Sequence, residues 1–411
     1  MTEDRGQQTV DWRRHAGAGG NGLPCALRAA EIEPFRVMDI LARAQALQAA
    51  GRDVIHLEVG EPDFPTPAPI VEAGLRALQS GQTRYTPALG LPELRAAIAE
   101  YYRQRHGVTV SPVRIAVTPG ASGALLLALA ALFDAGDELL VSDPGYPCNR
   151  HLARLLEVRA VGVPVDAASR YQLTAEAVAR HWGPRTRGVL LANPGNPTGT
   201  VIAQAELAAI HEGVRARGGW LLVDEIYHEL IHDRPEPTAA ALGEDVLVIN
   251  SFSKYWCMTG WRLGWLVAPE SLMPAVERLA QNIFLAAPTP AQHAALAAFD
   301  AETLAILSGY KAELRARREM LLPTLKRLGF DLPVRPEGAF YIYAGLGELA
   351  DDGENFARRL LEEAGVALTP GRDFGRHDTG RHVRFAYTTD RARLAEAVDR
   401  IAGWLARHPS A

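Results

Sequence analysis

The chain has 411 residues, of which 48% are hydrophobic and 22% charged, with a formal net charge of -5. That length exceeds one ordinary core and predicts two domains of a soluble globular protein. A net negative charge with no basic run argues against nucleic acid as a partner, and no apolar run reaches the roughly 18 residues of a membrane span.

Cys25, Cys148 and Cys257 show no metal-ligand spacing and no disulfide framework, which fits a reducing cytoplasm and implies no metal. Cys257 reads as an inert packed thiol. Met1 to Pro24 is polar and Gly-rich without the apolar core of a secretory signal, and residues 1–29 are expected to be a disordered extension.

Val37 to Ala50 is helical in pattern and is stopped by Gly51. Asp53 to Leu57 is a short strand that leads into Val59-Gly60-Glu61-Pro62-Asp63-Phe64-Pro65, where Gly and Pro force a turn. Gly60 there lets a ligand approach the backbone or is a plain turn glycine. Ile70 to Gln79 and Leu91 to Arg105 are helices. Between them lies Tyr85-Thr86-Pro87-Ala88-Leu89-Gly90-Leu91-Pro92-Glu93-Leu94-Arg95, and a tyrosine before such a turn is ordinarily packing.

From Ile115 the chain alternates strands with helices, the mark of a mostly parallel sheet flanked on its faces. Strand Ile115–Val117 runs into Thr118-Pro119-Gly120-Ala121-Ser122-Gly123 and a helix to Phe133. Small residues at that helix start leave backbone N–H groups free for an anion, and Ser122 adds a hydroxyl. Strand Glu138–Val141 ends in Asp143-Pro144-Gly145-Tyr146-Pro147, where Tyr146 either stacks on a planar ligand or packs in the core. Strand Gly188–Leu191 ends in Asn193-Pro194-Gly195-Asn196-Pro197-Thr198-Gly199, a stiff loop that fixes the Asn196 amide as a donor. Strand Trp220–Val223 ends in Asp224-Glu225-Ile226-Tyr227. A carboxylate at the end of an apolar strand needs a cationic partner or a proton.

Strand Val246–Asn250 runs into Ser251-Phe252-Ser253-Lys254-Tyr255-Trp256-Cys257-Met258-Thr259-Gly260-Trp261-Arg262-Leu263-Gly264, followed by the apolar run Leu263–Val267. A lysine among apolar groups is disfavoured as a cation and becomes an amine nucleophile. Arg262 stays charged and suits a phosphate. The pair suggests an aldehyde cofactor carrying a phosphate, held as a Schiff base.

Helices follow Pro269, interrupted over Gln281 to Pro290, and Ala301 to Leu328 is one long helix. Beyond it, strand Gly338–Tyr343, helix Asn355–Ala364, Val366-Ala367-Leu368, strand His382–Ala386 and helix Arg391–Arg407 suggest an α+β layer. Arg384 in a β pattern is either an edge-strand charge or a bidentate clamp for a carboxylate.

The string S-x-S-K-x-x-x-M-T-G-W-R-L-G resembles the lysine signature of the class I/II pyridoxal-phosphate aminotransferases, and Y-x-x-x-x-G-x-x-E-L-R and N-P-G-N-P-T-G resemble strings of the same family. The likeness spans roughly residues 30 to 405 and goes furthest toward the broad bacterial branch. It implies the fold type I architecture: a large α/β domain over 67–300 with a mostly parallel sheet, and a smaller α+β domain from 30–66 and 301–411. It implies that Lys254 forms the Schiff base with pyridoxal 5′-phosphate and shuttles the proton. Asp224 would pair with the ring nitrogen, Asn196 and Tyr227 with the ring hydroxyl, and Tyr146 would stack on the ring. Gly120, Ala121, Ser122, Ser251 and Arg262 would hold the phosphate, with Tyr85 reaching in from the other subunit of a homodimer. Arg384, Gly60 and Asn196 would take the substrate carboxylate.

The resemblance thus implies transfer of an amino group from an L-amino acid to a 2-oxo acid by a ping-pong mechanism. Alternatives are a C–S β-lyase on the same fold and, more distantly, a non-catalytic cofactor-binding regulator. Ala121-Ser122 lacks the lysine, and Phe284 to Pro288 the arginine, of dicarboxylate-specific relatives, which points to a neutral amino donor.

Overall fold

The computed structural model describes residues 25–233 and 237–408. Most of the extension expected at the N-terminus lies outside the described residues. Within the rest of it, Leu27–Glu31 is a short helix with no buried residue.

Twelve strands occur among the described residues: β1 (Ile55–His56), β2 (Ile115–Thr118), β3 (Glu138–Asp143), β4 (Arg159–Pro164), β5 (Thr186–Ala192), β6 (Trp220–Asp224), β7 (Val246–Ser251), β8 (Gly264–Val267), β9 (Tyr341–Gly345), β10 (Val366–Ala367), β11 (Thr369–Pro370) and β12 (His382–Ala386). Seven form one sheet in the order β2-β8-β7-β6-β5-β3-β4. Only β8 runs against its neighbours, antiparallel to both β2 and β7. The reason is local. A parallel return needs a crossover, usually a helix, whereas the stretch 252–263 contains no helix. The chain therefore turns back beside β7, and that turn carries Lys254.

The central strands are buried on both faces, as continuous apolar runs require. Alternate residues part into two cores: Val189, Leu191, Leu221, Val223, Val246 and Val248 on one side, Leu190, Leu222, Leu247, Ile249 and Leu266 on the other. The helix Gly120–Leu132, apolar almost all round, lies in the second core. Burying each such side chain is worth about 1.5–3 kcal/mol.

A second, three-stranded antiparallel sheet has the order β11-β12-β9. Arg384 lies on β12, the middle strand, so it is not an edge-strand charge. β1 pairs in parallel with β10, Ile55 opposite Val366. The helix Arg36–Ala49 joins them through Ala44 and Leu47, which pack on Val54, Leu361 and Ala367. Residues before 66 therefore build against the C-terminal part of the chain.

The strand expected from Gly338 begins later, at Tyr341. Ala339 has φ 56°, and the Gly338 N–H donates to Gly199 O at 2.8 Å. A Cβ at 338 would lie 2.6 Å from Pro194 Cγ. This stretch is thus held against the 193–199 loop before the sheet begins. No helix among the described residues is long and apolar enough to cross a membrane.

Candidate active site

The parallel strands of the large sheet deliver their C-terminal ends to one region, where ligands sit in open α/β sheets. A cavity of about 310 Å³ lies there. Of the residues singled out in the sequence, Gly60, Ala121, Ser122, Tyr146, Asn196, Asp224, Tyr227, Lys254, Arg262 and Arg384 line it. A wider surface cleft of about 820 Å³ lies elsewhere. Its Arg36, Arg154 and Arg372 are each paired with a carboxylate, and neither Lys254, Asp224 nor Arg384 lines it.

Lys254 sits in the β7–β8 turn, and its Nζ donates to Gly60 O at 2.6 Å. Burial lowers its pKa to about 8, against the opposing pull of Glu61. The amine is therefore neutral in part near physiological pH, as a nucleophile needs.

Asp224 ends β6. Burial raises its pKa to about 7, although the Ile226 N–H donates to Oδ1 at 3.1 Å. A buried carboxylate so placed favours a cationic partner.

Arg384 is 3% exposed. Its Nη1 donates to Asn196 Oδ1 at 2.9 Å, and its Nη2 to Glu58 O at 2.5 Å. Its Nε has no partner among the described residues. The guanidinium lies 4.2 Å from the centroid of the Tyr341 ring and 4.9 Å from that of Phe374. With its oxygen engaged by Arg384, Asn196 keeps its N–H donors for a ligand.

Arg262 has φ 53° and donates from Nη1 to Thr259 O at 2.9 Å. A Cβ at position 120 would lie 2.7 Å from Arg262 Nη2, and Gly120 has φ +71°. Glycine is needed there on both counts. The guanidinium thus lies against the start of the helix Gly120–Leu132, whose first N–H groups favour an anion. Arginine, helix start and the Ser122 and Ser253 hydroxyls form a cradle suited to a phosphate.

Gly120 packs beneath Arg262 without lining the cavity, and Ser251 does not reach it. The Ser251 hydroxyl is within hydrogen-bond distance of Leu263 O (2.9 Å) and Ser253 Oγ (2.8 Å). Ser253 lines the cavity. Tyr85 is 81% exposed and does not line the cavity. Cys257 is buried, which pushes its thiol up to about 12, as an inert packed group requires.

Sequence reasoning passed over Phe35, Glu61, Thr259 and Tyr341, which also line the cavity. The Thr259 hydroxyl donates to Glu61, tying the Gly60 turn to the lysine turn. Tyr341 Oη stands 2.7 Å from Tyr227 Oη. Its place next to Phe340 in G-A-F-Y-I-Y looked like strand packing. Only the partners brought together by folding mark it out.

The family profile described as aminotransferase class I and II matches residues 52–401. A valine–pyruvate aminotransferase of Mycobacterium tuberculosis is 41% identical over 92% of this chain and 98% of its own. An aspartate aminotransferase of Thermotoga maritima is 34% identical over 92% of this chain and 98% of its own. Among solved structures, an aminotransferase from Mycobacterium tuberculosis superposes with a TM-score of 0.91 at 41% identity, over 93% of this chain and 99% of that one. The aspartate aminotransferase of Thermus thermophilus with maleate gives 0.88 at 34% identity, over 93% and 99%.

Proposed function

Because the chain belongs to the class I and II aminotransferase family, an aminotransferase scaffold that works with pyridoxal phosphate, we propose that it moves the amino group of a neutral L-amino acid to a 2-oxo acid, with Lys254 as the covalent and proton-moving residue. The observation that carries this reading is the buried amine of Lys254, lowered to about 8, in one cavity with Asp224 and Arg384.

The residues fit the cofactor. Asp224 is a buried acid without a cation beside it strong enough to keep its pKa low. Arg262 and the helix start at Gly120 make a phosphate cradle that a larger residue would fill. When bound, pyridoxal phosphate supplies the electron sink that makes the donor's Cα–H bond breakable. Asp224 would hold the ring nitrogen as N–H⁺. Asn196 and Tyr227 would hold the ring hydroxyl, Tyr146 would cover the ring face, and Gly120, Ala121, Ser122, Ser251 and Arg262 would hold the phosphate, with Ser253 beside Ser251.

The chain's own groups do the rest. Arg384 is fixed by Asn196 and the Glu58 carbonyl, and clamps the donor's carboxylate. Lys254 Nζ takes up the proton from Cα, a general-base contribution of about 10²–10⁴-fold. Among the described residues the lining cations are Lys254, Arg262 and Arg384, and each has a task in this reading. Phe35, Val37 and Met38 make part of the wall apolar, which supports the neutral donor. In this reading 30–66 and 301–411 form the smaller unit around 67–300. The protein works as a cytoplasmic homodimer, and the exposed Tyr85 reaches the partner's phosphate.

The test is a single-turnover panel of amino acids against the cofactor-loaded protein, followed by its visible spectrum. Neutral amino acids are expected to react fastest. A twofold faster reaction with aspartate removes the donor preference. Release of pyruvate and ammonia without an acceptor assigns a lyase instead. Labelling of a lysine other than 254 by borohydride removes the assignment of Lys254.

A further inference from the structure

The hydroxyls of Tyr227 and Tyr341 stand 2.7 Å apart. Both side chains are buried, and both line the cavity. Each phenol has one proton, so one of them gives its proton to the other, which keeps its own for a further acceptor. The question is which.

The surroundings of Tyr341 answer it. The Arg384 guanidinium stands 4.2 Å from the centroid of its ring, and a cation there favours negative charge on the phenol. Burial raises both phenols above their ordinary value, and Arg384 pulls against that rise. The cation over its ring makes Tyr341 the better donor of the pair.

A third contact fixes the hydroxyl in place. Gly60 comes so close that a Cβ there would lie 2.1 Å from Tyr341 Oη. The same glycine accepts the hydrogen bond of Lys254. Tyr341 therefore touches the residue that receives the amine, supports the carboxylate clamp with its ring, and meets Tyr227 with its hydroxyl.

We infer that Tyr341 is a positioning residue: its hydroxyl donates to Tyr227, so that the proton of Tyr227 points into the cavity, while its ring supports Arg384. This rests on the reading above, in which Tyr227 meets the cofactor's ring oxygen. Hydrogen-bond chains polarise their members. A Tyr227 hydroxyl that accepts from Tyr341 donates more strongly to an ionised ring oxygen, and stabilising that anion lowers the pH at which it forms.

The test uses the full chain loaded with pyridoxal 5′-phosphate. Tyr341→Phe removes only the hydroxyl. The pH midpoint of the visible absorption change should rise by about 0.3–1 unit, and the protein should lose the cofactor several-fold faster on dilution. In a Tyr227→Phe background the same substitution should add nothing, because the acceptor of the proton is gone. Tyr341→Leu also removes the ring. It should in addition raise KM for the best amino donor about tenfold while kcat changes less, a split that Tyr341→Phe should not show.

An unchanged midpoint and unchanged cofactor retention in Tyr341→Phe overturn the inference, as do effects that add fully to those of Tyr227→Phe. Should Tyr341→Phe fail to fold, Tyr227→Phe still reads the hydroxyl pair through the pH midpoint, and an unchanged midpoint there overturns the inference. A wild-type protein that takes up no pyridoxal phosphate defeats the reading of the site itself, an outcome distinct from loading with no response to Tyr341→Phe.

Discussion

Lys254 Nζ donates to the carbonyl oxygen of Gly60 across 2.6 Å, joining two turns that lie far apart in the chain. The bond holds the amine at the cavity wall without a carboxylate in direct contact, so burial decides its proton affinity.

Lys254→Ala should fold and still bind pyridoxal phosphate through the phosphate cradle and Asp224. Turnover should fall by at least about 10²–10⁴-fold. The check is steady-state activity beside cofactor uptake and borohydride labelling. Near-wild-type turnover contradicts the role of Lys254.

Asp224 gives a pH dependence with a definite sign. Its pKa rises from 3.8 unfolded to about 7 folded. Between those values the folded protein binds more protons, so the contribution of Asp224 to stability is fully present below about 4. It is lost as pH rises through 7. The melting temperature of the cofactor-free protein should therefore carry a component falling between about pH 4 and 7. Asp224→Asn should remove that component and stabilise the cofactor-free protein at pH 8 by about 1–4 kcal/mol. The same substitution should abolish most activity. If the cofactor-free variant is no more stable than wild type at pH 8, the buried, uncompensated acid is wrong.

Arg384→Gln should lower kcat/KM for the amino donor by about 10²–10³-fold, the order expected when one partner of a buried charge-assisted contact is removed. An amine lacking the carboxylate should react equally slowly with variant and wild type. Comparing the two substrates isolates the clamp, and equal losses for both would argue against it.

Arg317 holds the Gly60 turn from behind. Its Nη1 and Nη2 donate to the two Asp63 oxygens at 2.7 and 3.0 Å, and its guanidinium stands 4.8 Å from the Phe64 ring centroid. Asp63→Asn should destabilise the fold by about 1–3 kcal/mol and raise KM, since Gly60 and Glu58 lose their support. Denaturant unfolding with parallel kinetics checks both. Unchanged stability would place the support elsewhere.

The strand ends that carry Asp224 and Lys254 were legible because each follows a long apolar run, a pattern that needs no tertiary partner to be read. Asn196 and Arg262 were legible as a donor in a stiff loop and as a lasting charge, and their strings sharpened both readings. β4 was not picked out: it pairs only with β3, at the rim of the sheet, and its Arg159-Ala160-Val161-Gly162-Val163-Pro164 buries little beyond Val163. Gly and Pro break its pattern. Ser251 was read from its string; Ser253, whose hydroxyl shares a hydrogen bond with that of Ser251, was not singled out and lines the cavity. Tyr341 was missed because its partners, Tyr227 and Gly60, lie far away in sequence. Arg384 needed the sheet order to show that its strand is flanked on both sides.

The reversed strand β8 bears on how the protein can change shape. With β7 and β8 each locked to further neighbours, the tip between them is tethered at both feet inside the most deeply shielded layer. The amine therefore stands on a tip anchored at both ends, facing the wall that carries Phe35, Gly60 and Arg384.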